Sequence, residues 1–117
     1  MSHVKYWVDE EAVRRISSRL AELALSPDID KLARVALEII LCRENAKEVL
    51  EGEYPEGLKD QAKKTLSELE ELEKRLVHIY GLGLLAGAKW ARHPSVTAII
   101  GRLRRKEASA PAHRRRP

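Results

Sequence analysis

A chain of 117 residues, 44% hydrophobic and 34% charged, suffices for one domain with a modest core, and its single cysteine excludes an internal disulfide or a Cys-based zinc site. With no Phe, two Trp and three Tyr, that core has to be aliphatic, and the abundance of Leu, Ala, Glu, Lys and Arg favours helices. The net charge of +4 is uneven: residues 101–117 carry seven Lys/Arg against one acid, Glu107, whereas the residues before them carry fifteen bases against seventeen acids.

The first predicted helix runs from about Asp9 to Leu25. Asp9 is its expected cap, with Glu10 and Glu11 at the positive end of the dipole. Val13, Ile16, Leu20 and Leu23/Ala24 recur at three and four residues and make one apolar face. Glu10 with Arg14 and Glu11 with Arg15 are the expected supporting pairs.

Ser26-Pro27 reads as a cap followed by proline at the first helical position, so a second helix is expected to start there and to stop at Gly52. Leu32, Val35, Ala36, Ile39, Ile40, Ala46, Val49 and Leu50 give it a wide apolar surface, and Leu37–Cys42 is apolar nearly all round. Such a helix belongs at the centre of the fold, touching several neighbours or a second subunit.

After a loop at residues 52–57, Leu58, Ala62, Thr65, Leu69, Leu72, Leu76 and Ile79 alternate steps of four and three, as a heptad seam does. Asp60 with Lys64, Glu70 with Lys74 and Glu71 with Arg75 are expected on the exposed side of this third helix. The stepping continues through Gly83, Ala86 and Trp90. Gly81, Gly83 and Gly87 each cost about 1 kcal/mol of helix propensity, so the helix either kinks near Gly81 or runs unbroken to about Arg92. Pro94 pushes residue 93 out of helical geometry. A last short helix, Ser95 to about Lys106, has Val96, Ile99, Ile100 and Leu103 as its apolar edge. The fold class expected is therefore all-α, a four-helix array with a long third helix. It comprises a single domain at 1–106 and a disordered basic tail at 107–117.

Few other chemistries fit the pattern. A phosphate-cradling loop at Gly81–Gly87 lacks the preceding strand and the Gly-Lys-Ser/Thr ending, so its G-x-x-x-G spacing reads as close packing. No Glu-x-x-His or His-x-x-x-His pair occurs, His78 reads as a core or interface histidine, and Cys42 as a small apolar residue. Glu68, Glu70, Glu71 and Glu73 read as a solvated, ion-paired face. No enzyme, cofactor or metal is expected. The longest apolar stretch, Leu76–Ala91, is interrupted by His78 and Lys89 and falls short of the roughly 20 residues that span a bilayer. With no secretory leader in the opening residues, the expected location is cytoplasmic. High charge with little Asn, Gln, Cys and Met is the trend of thermophile proteins.

What remains is the basic end. Arg102, Arg104, Arg105 and Lys106 on the last helix, with Arg114, Arg115 and Arg116 beyond it and Lys89 and Arg92 upstream, can neutralise several phosphates of DNA or RNA with little regard to base identity. The alternatives are an acidic protein partner, or a helical interaction module or homo-oligomer whose tail only aids solubility. The stretch Ser18–Ala33, SRLAELALSPDIDKLA, followed by long charged helices, resembles the small all-helical subunits of archaeal CRISPR interference complexes. That resemblance assigns no residue. It implies a non-catalytic subunit that contacts nucleic acid within a larger assembly.

Overall fold

Asp28 opens the helix with the most buried residues among those described by accepting from the backbone N–H groups of Asp30 and Lys31 at 3.1 and 3.2 Å. This is the N-cap of the second helix in a computed structural model that describes residues 10–105. The helices are α1 (Glu10–Leu25), α2 (Ile29–Glu51), α3 (Glu56–Leu85), α4 (Lys89–Arg92) and α5 (Pro94–Arg104). The fold is all-α, and the third helix is the long one, at 30 residues.

The cap falls two residues later than Ser26-Pro27 suggested. Ser26 closes α1 instead, its N–H donating to Glu22 at 3.0 Å, while its carbonyl accepts from the Lys31 ammonium at 3.0 Å. Asp9, the expected cap of α1, lies outside the described residues. Arg14 pairs with Glu11 at 2.9 Å, and Arg15 reaches Glu38 of α2 at 3.5 Å. Arg19 meets the same Glu38 oxygen at 2.8 Å, so this carboxylate ties α1 to α2. Lys74 pairs with Glu71, one turn away, and not with Glu70 as expected.

One core joins Ile16, Leu20 and Leu23 of α1 with Leu32, Val35, Ile39 and Ile40 of α2. Leu69, Leu72 and Leu76 of α3 and Val96, Ile100 and Leu103 of α5 complete it. Removing any of these side chains from water is worth about 2–3 kcal/mol, and α2, which packs on α1, α3 and α5, holds the centre as its wide apolar surface predicts. A second, small cluster of Ala46, Val49 and Ala62 lies between the last turns of α2 and the first turns of α3. The α2–α3 hairpin thus extends past the body of the fold.

The predicted seam of α3 is buried from Ala62 to Leu76 and again at Gly83. His78 is exposed: it follows buried Leu76 by two residues, about 200° around the helix, which turns it away from the core. Glu73, expected on a solvated face, is largely withdrawn from water. Cys42 is half-buried at the edge of the core.

Neither a kink at Gly81 nor an unbroken helix to Arg92 is found. The α3 helix ends at Leu85 because Gly87 adopts φ +72, a conformation that glycine takes without strain. The Ala88 N–H then donates to Gly83 at 2.9 Å and the Gly87 N–H to Leu84 at 3.0 Å, which is a Schellman ending. Among the described residues no helix is long and apolar enough to cross a membrane.

Candidate nucleic-acid interface

The turn at Gly87 folds the chain back so that α4 lies against the end of α3. Trp90 comes so near Gly83 that a β-carbon there would stand 2.5 Å from the indole Cζ2. This is the close approach that the G-x-x-x-G spacing suggested, made by an indole of the same chain at Gly83, while Gly87 serves the turn. Ala91 is fully buried beneath the helix, and Lys89 and Arg92 are left exposed.

His93 separates α4 from α5, with extended backbone as its place before Pro94 demands. Its Nδ1 accepts from the Ser95 N–H at 3.2 Å and lies 2.8 Å from Ser95 Oγ, so the imidazole caps α5. An accepting Nδ1 puts the proton of the neutral ring on Nε2. Pro94 occupies the first turn, where its missing N–H costs nothing. Val96, Ile100 and Leu103 then bury one face of α5 on α2, which leaves Arg102, Arg104 and Arg105 exposed.

The end of α5 is fixed by a residue that the sequence did not single out. Arg43, in the middle of α2 and 7% exposed, donates from Nη1 to the Leu103 carbonyl at 3.2 Å and to Glu73 Oε1 at 3.3 Å. Leu103 belongs to the last turn of α5, whose carbonyls have no partner within the helix, and a cation there also complements the dipole. Burial lowers the pKa of Arg43, Glu73 and Glu44 oppose that shift, and the guanidinium stays charged. One side chain therefore joins α2, α3 and α5 at the base of the arginine cluster.

Of the nine predicted contacts, the five among the described residues fall in two sets. Lys89 and Arg92 lie on α4, before the start of α5, and Arg102, Arg104 and Arg105 at the far end of α5, which is about 15 Å long at 1.5 Å per residue. Lys106, Arg114, Arg115 and Arg116 lie outside the described residues. What sequence reading missed is the extent of the basic region: from Lys74 to Arg105 there are seven Lys/Arg and no acid, and Lys74 and Arg75 belong to it. Both are exposed on α3. In contrast, residues 44–73, which make the hairpin, carry ten acids against four bases.

Among the described residues no group of three His, Cys, Asp or Glu is placed to hold a metal. Comparison of the chain with protein-family models, with curated proteins and with solved structures finds no match.

Proposed function

We propose that this chain is a non-enzymatic helical protein that binds the phosphates of DNA or RNA along its α4–α5 edge, as a component of a nucleoprotein complex. Arg102, Arg104 and Arg105 make the principal contacts, Lys89 and Arg92 a second set one helix length away, and Lys106 with Arg114–Arg116 add charge. The observation that carries this reading is the acid-free stretch from Lys74 to Arg105, ending in three exposed arginines on a helix held by Arg43. Arginines on an anchored helix lose less freedom on binding than the same charges on a loose chain, and a spacing of about 15 Å between the two sets suits a backbone-tracking contact.

Binding of this kind is driven by counterion release, so it weakens steeply with salt and discriminates little between sequences. Fluorescence anisotropy with labelled mixed-sequence DNA and RNA tests it. The expected result is binding at low salt that is lost on raising the salt and weakened by R102A/R104A/R105A. Equal binding by that variant would refute the assignment.

A second reading is a helical protein-interaction module without nucleic-acid affinity. It is favoured by Leu82, Leu84 and Leu85, which are 53%, 39% and 86% exposed at the end of α3. A stable oligomer with no affinity for either nucleic acid would select it.

A further inference from the structure

Apart from Leu84, the large exposed apolar side chains described on α2 and α3 lie on two helix ridges that match each other in both shape and charge. On α2, Leu37 and Leu41 are 39% and 54% exposed, and the same ridge continues through Glu44 and Glu48, both exposed. The steps of four, three and four keep all of these residues on one outward stripe about 16 Å long. On the outward side of α3, Leu85 and Leu82 are followed in the reverse direction by His78, Arg75 and Lys74, all exposed. The steps are three and four residues from Leu85 to His78, and Arg75 and Lys74 follow His78 by three and four. Each ridge is thus apolar in its first half and charged in its second, one acidic and the other basic.

We infer that the α2 ridge of one molecule docks antiparallel on the α3 ridge of a second copy. Running antiparallel, Leu37 and Leu41 cover Leu82 and Leu85, while Glu44 and Glu48 come over His78, Arg75 and Lys74. A parallel pairing would place the glutamates on leucines and leave the bases facing leucines, which strands charge against apolar surface. Pairing two α2 ridges would juxtapose glutamates, and pairing two α3 ridges would juxtapose bases, so like ridges repel. The match covers about three turns, and the next exposed residue of the α3 stripe, Glu71, is acidic and ends its basic half. Where one such contact forms between each pair of copies it is heterologous, and successive copies add head to tail; where both form about a two-fold axis, it closes as a dimer. Lys74 now holds Glu71 at 3.6 Å across an exposed pair, which is a weak interaction to exchange for a glutamate of the neighbour.

The inference rests on none of the residues proposed to bind phosphate, and its test uses the full chain freed of nucleic acid, so the two fail separately. Multi-angle light scattering and sedimentation equilibrium over a concentration series at low salt are expected to give a mass that rises from the 13.3 kDa of one chain and falls back at high salt. E44K/E48K and K74E/R75E are each expected to weaken association by about tenfold or more, because each makes both ridges alike in sign. Mixed in equal amounts they are expected to associate again, since each then offers the ridge that the other lacks. Circular dichroism of each variant alone checks that these exposed substitutions leave the helices intact. A monomeric mass at all concentrations would overturn the inference and leave the ridges to another segment or partner. So would association that ignores both charge variants, or a mixture that stays monomeric.

Discussion

Arg43 and Leu103 stand sixty residues apart in the chain and are joined by a hydrogen bond of 3.2 Å from the guanidinium to the backbone carbonyl. Through it the middle of α2 holds the end of α5, and the Glu73 carboxylate on α3 shares the same nitrogen. The anchoring of the candidate arginines depends on this contact as much as on the apolar face of α5. Arg43→Met keeps the aliphatic stem but leaves Glu73 without this partner and the carbonyl unsatisfied. A loss of about 2–3 kcal/mol in urea unfolding is expected, and Glu73→Gln, which can still accept, should cost less than half of that. A loss below about 0.5 kcal/mol for Arg43→Met would show that the contact is dispensable.

The three glycines near the end of α3 should respond to alanine in different directions. At Gly81 a β-carbon meets nothing within 4 Å, so Gly81→Ala should stabilise by about 0.5–1 kcal/mol through helix propensity. At Gly83 the methyl group would strike the Trp90 indole, and a loss of about 1–3 kcal/mol is expected, with a change in tryptophan fluorescence. At Gly87 there is room, but φ +72 is costly for alanine, so a loss of about 1 kcal/mol should appear without displacing Trp90. Thermal unfolding of the three variants side by side checks the order, and equal effects would contradict the account of how α3 ends.

Capping of α2 separates two neighbouring candidates. Asp28→Ala removes an acceptor for two backbone N–H groups and should cost about 1 kcal/mol, whereas Ser26→Ala should be within about 0.5 kcal/mol of neutral. Urea denaturation midpoints compare them. The reverse order would restore Ser26 as the cap.

These positions show where the sequence was legible. The seam of α3, the central place of α2 and the buried edge of α5 follow from apolar spacing alone, because one face of a helix must find cover wherever it packs. Ser26 and Asp28 are both good caps by type, and the Ser-Pro pattern favoured the wrong one. What decides is that Ser26 is already engaged in closing α1. Three glycines within seven residues look alike to helix propensity, and only the fold-back of Trp90 onto Gly83 tells which one breaks the helix. Arg43 was invisible for a similar reason. An arginine among glutamates in mid-helix reads as a surface residue, and its partners come from α3 and the far end of α5. The candidate interface was legible as charge but not as shape: the exposed arginines were named from sequence, while the distance between the two sets and the anchoring of one of them required the fold.

Within the candidate interface, the two sets of bases should contribute separately. K89A/R92A on α4 and R102A/R104A/R105A at the far end of α5 are separated by the length of α5, about 15 Å, so their effects on binding free energy should add within about 0.5 kcal/mol. Anisotropy titrations of each variant and of their combination check this. A combined loss no larger than that of R102A/R104A/R105A alone would restrict the interface to the end of α5.

The central claim is tested most directly by the salt dependence of nucleic-acid binding by the full chain. The slope of log affinity against log salt, taken between about 50 and 200 mM, counts the phosphates engaged. The account predicts a steep slope for the natural chain, nearly the same slope for duplexes of unrelated sequence, and a slope shallower by about one for each arginine removed from Arg102, Arg104 and Arg105. No detectable binding at the low-salt end, or a slope unchanged by those substitutions, would contradict it.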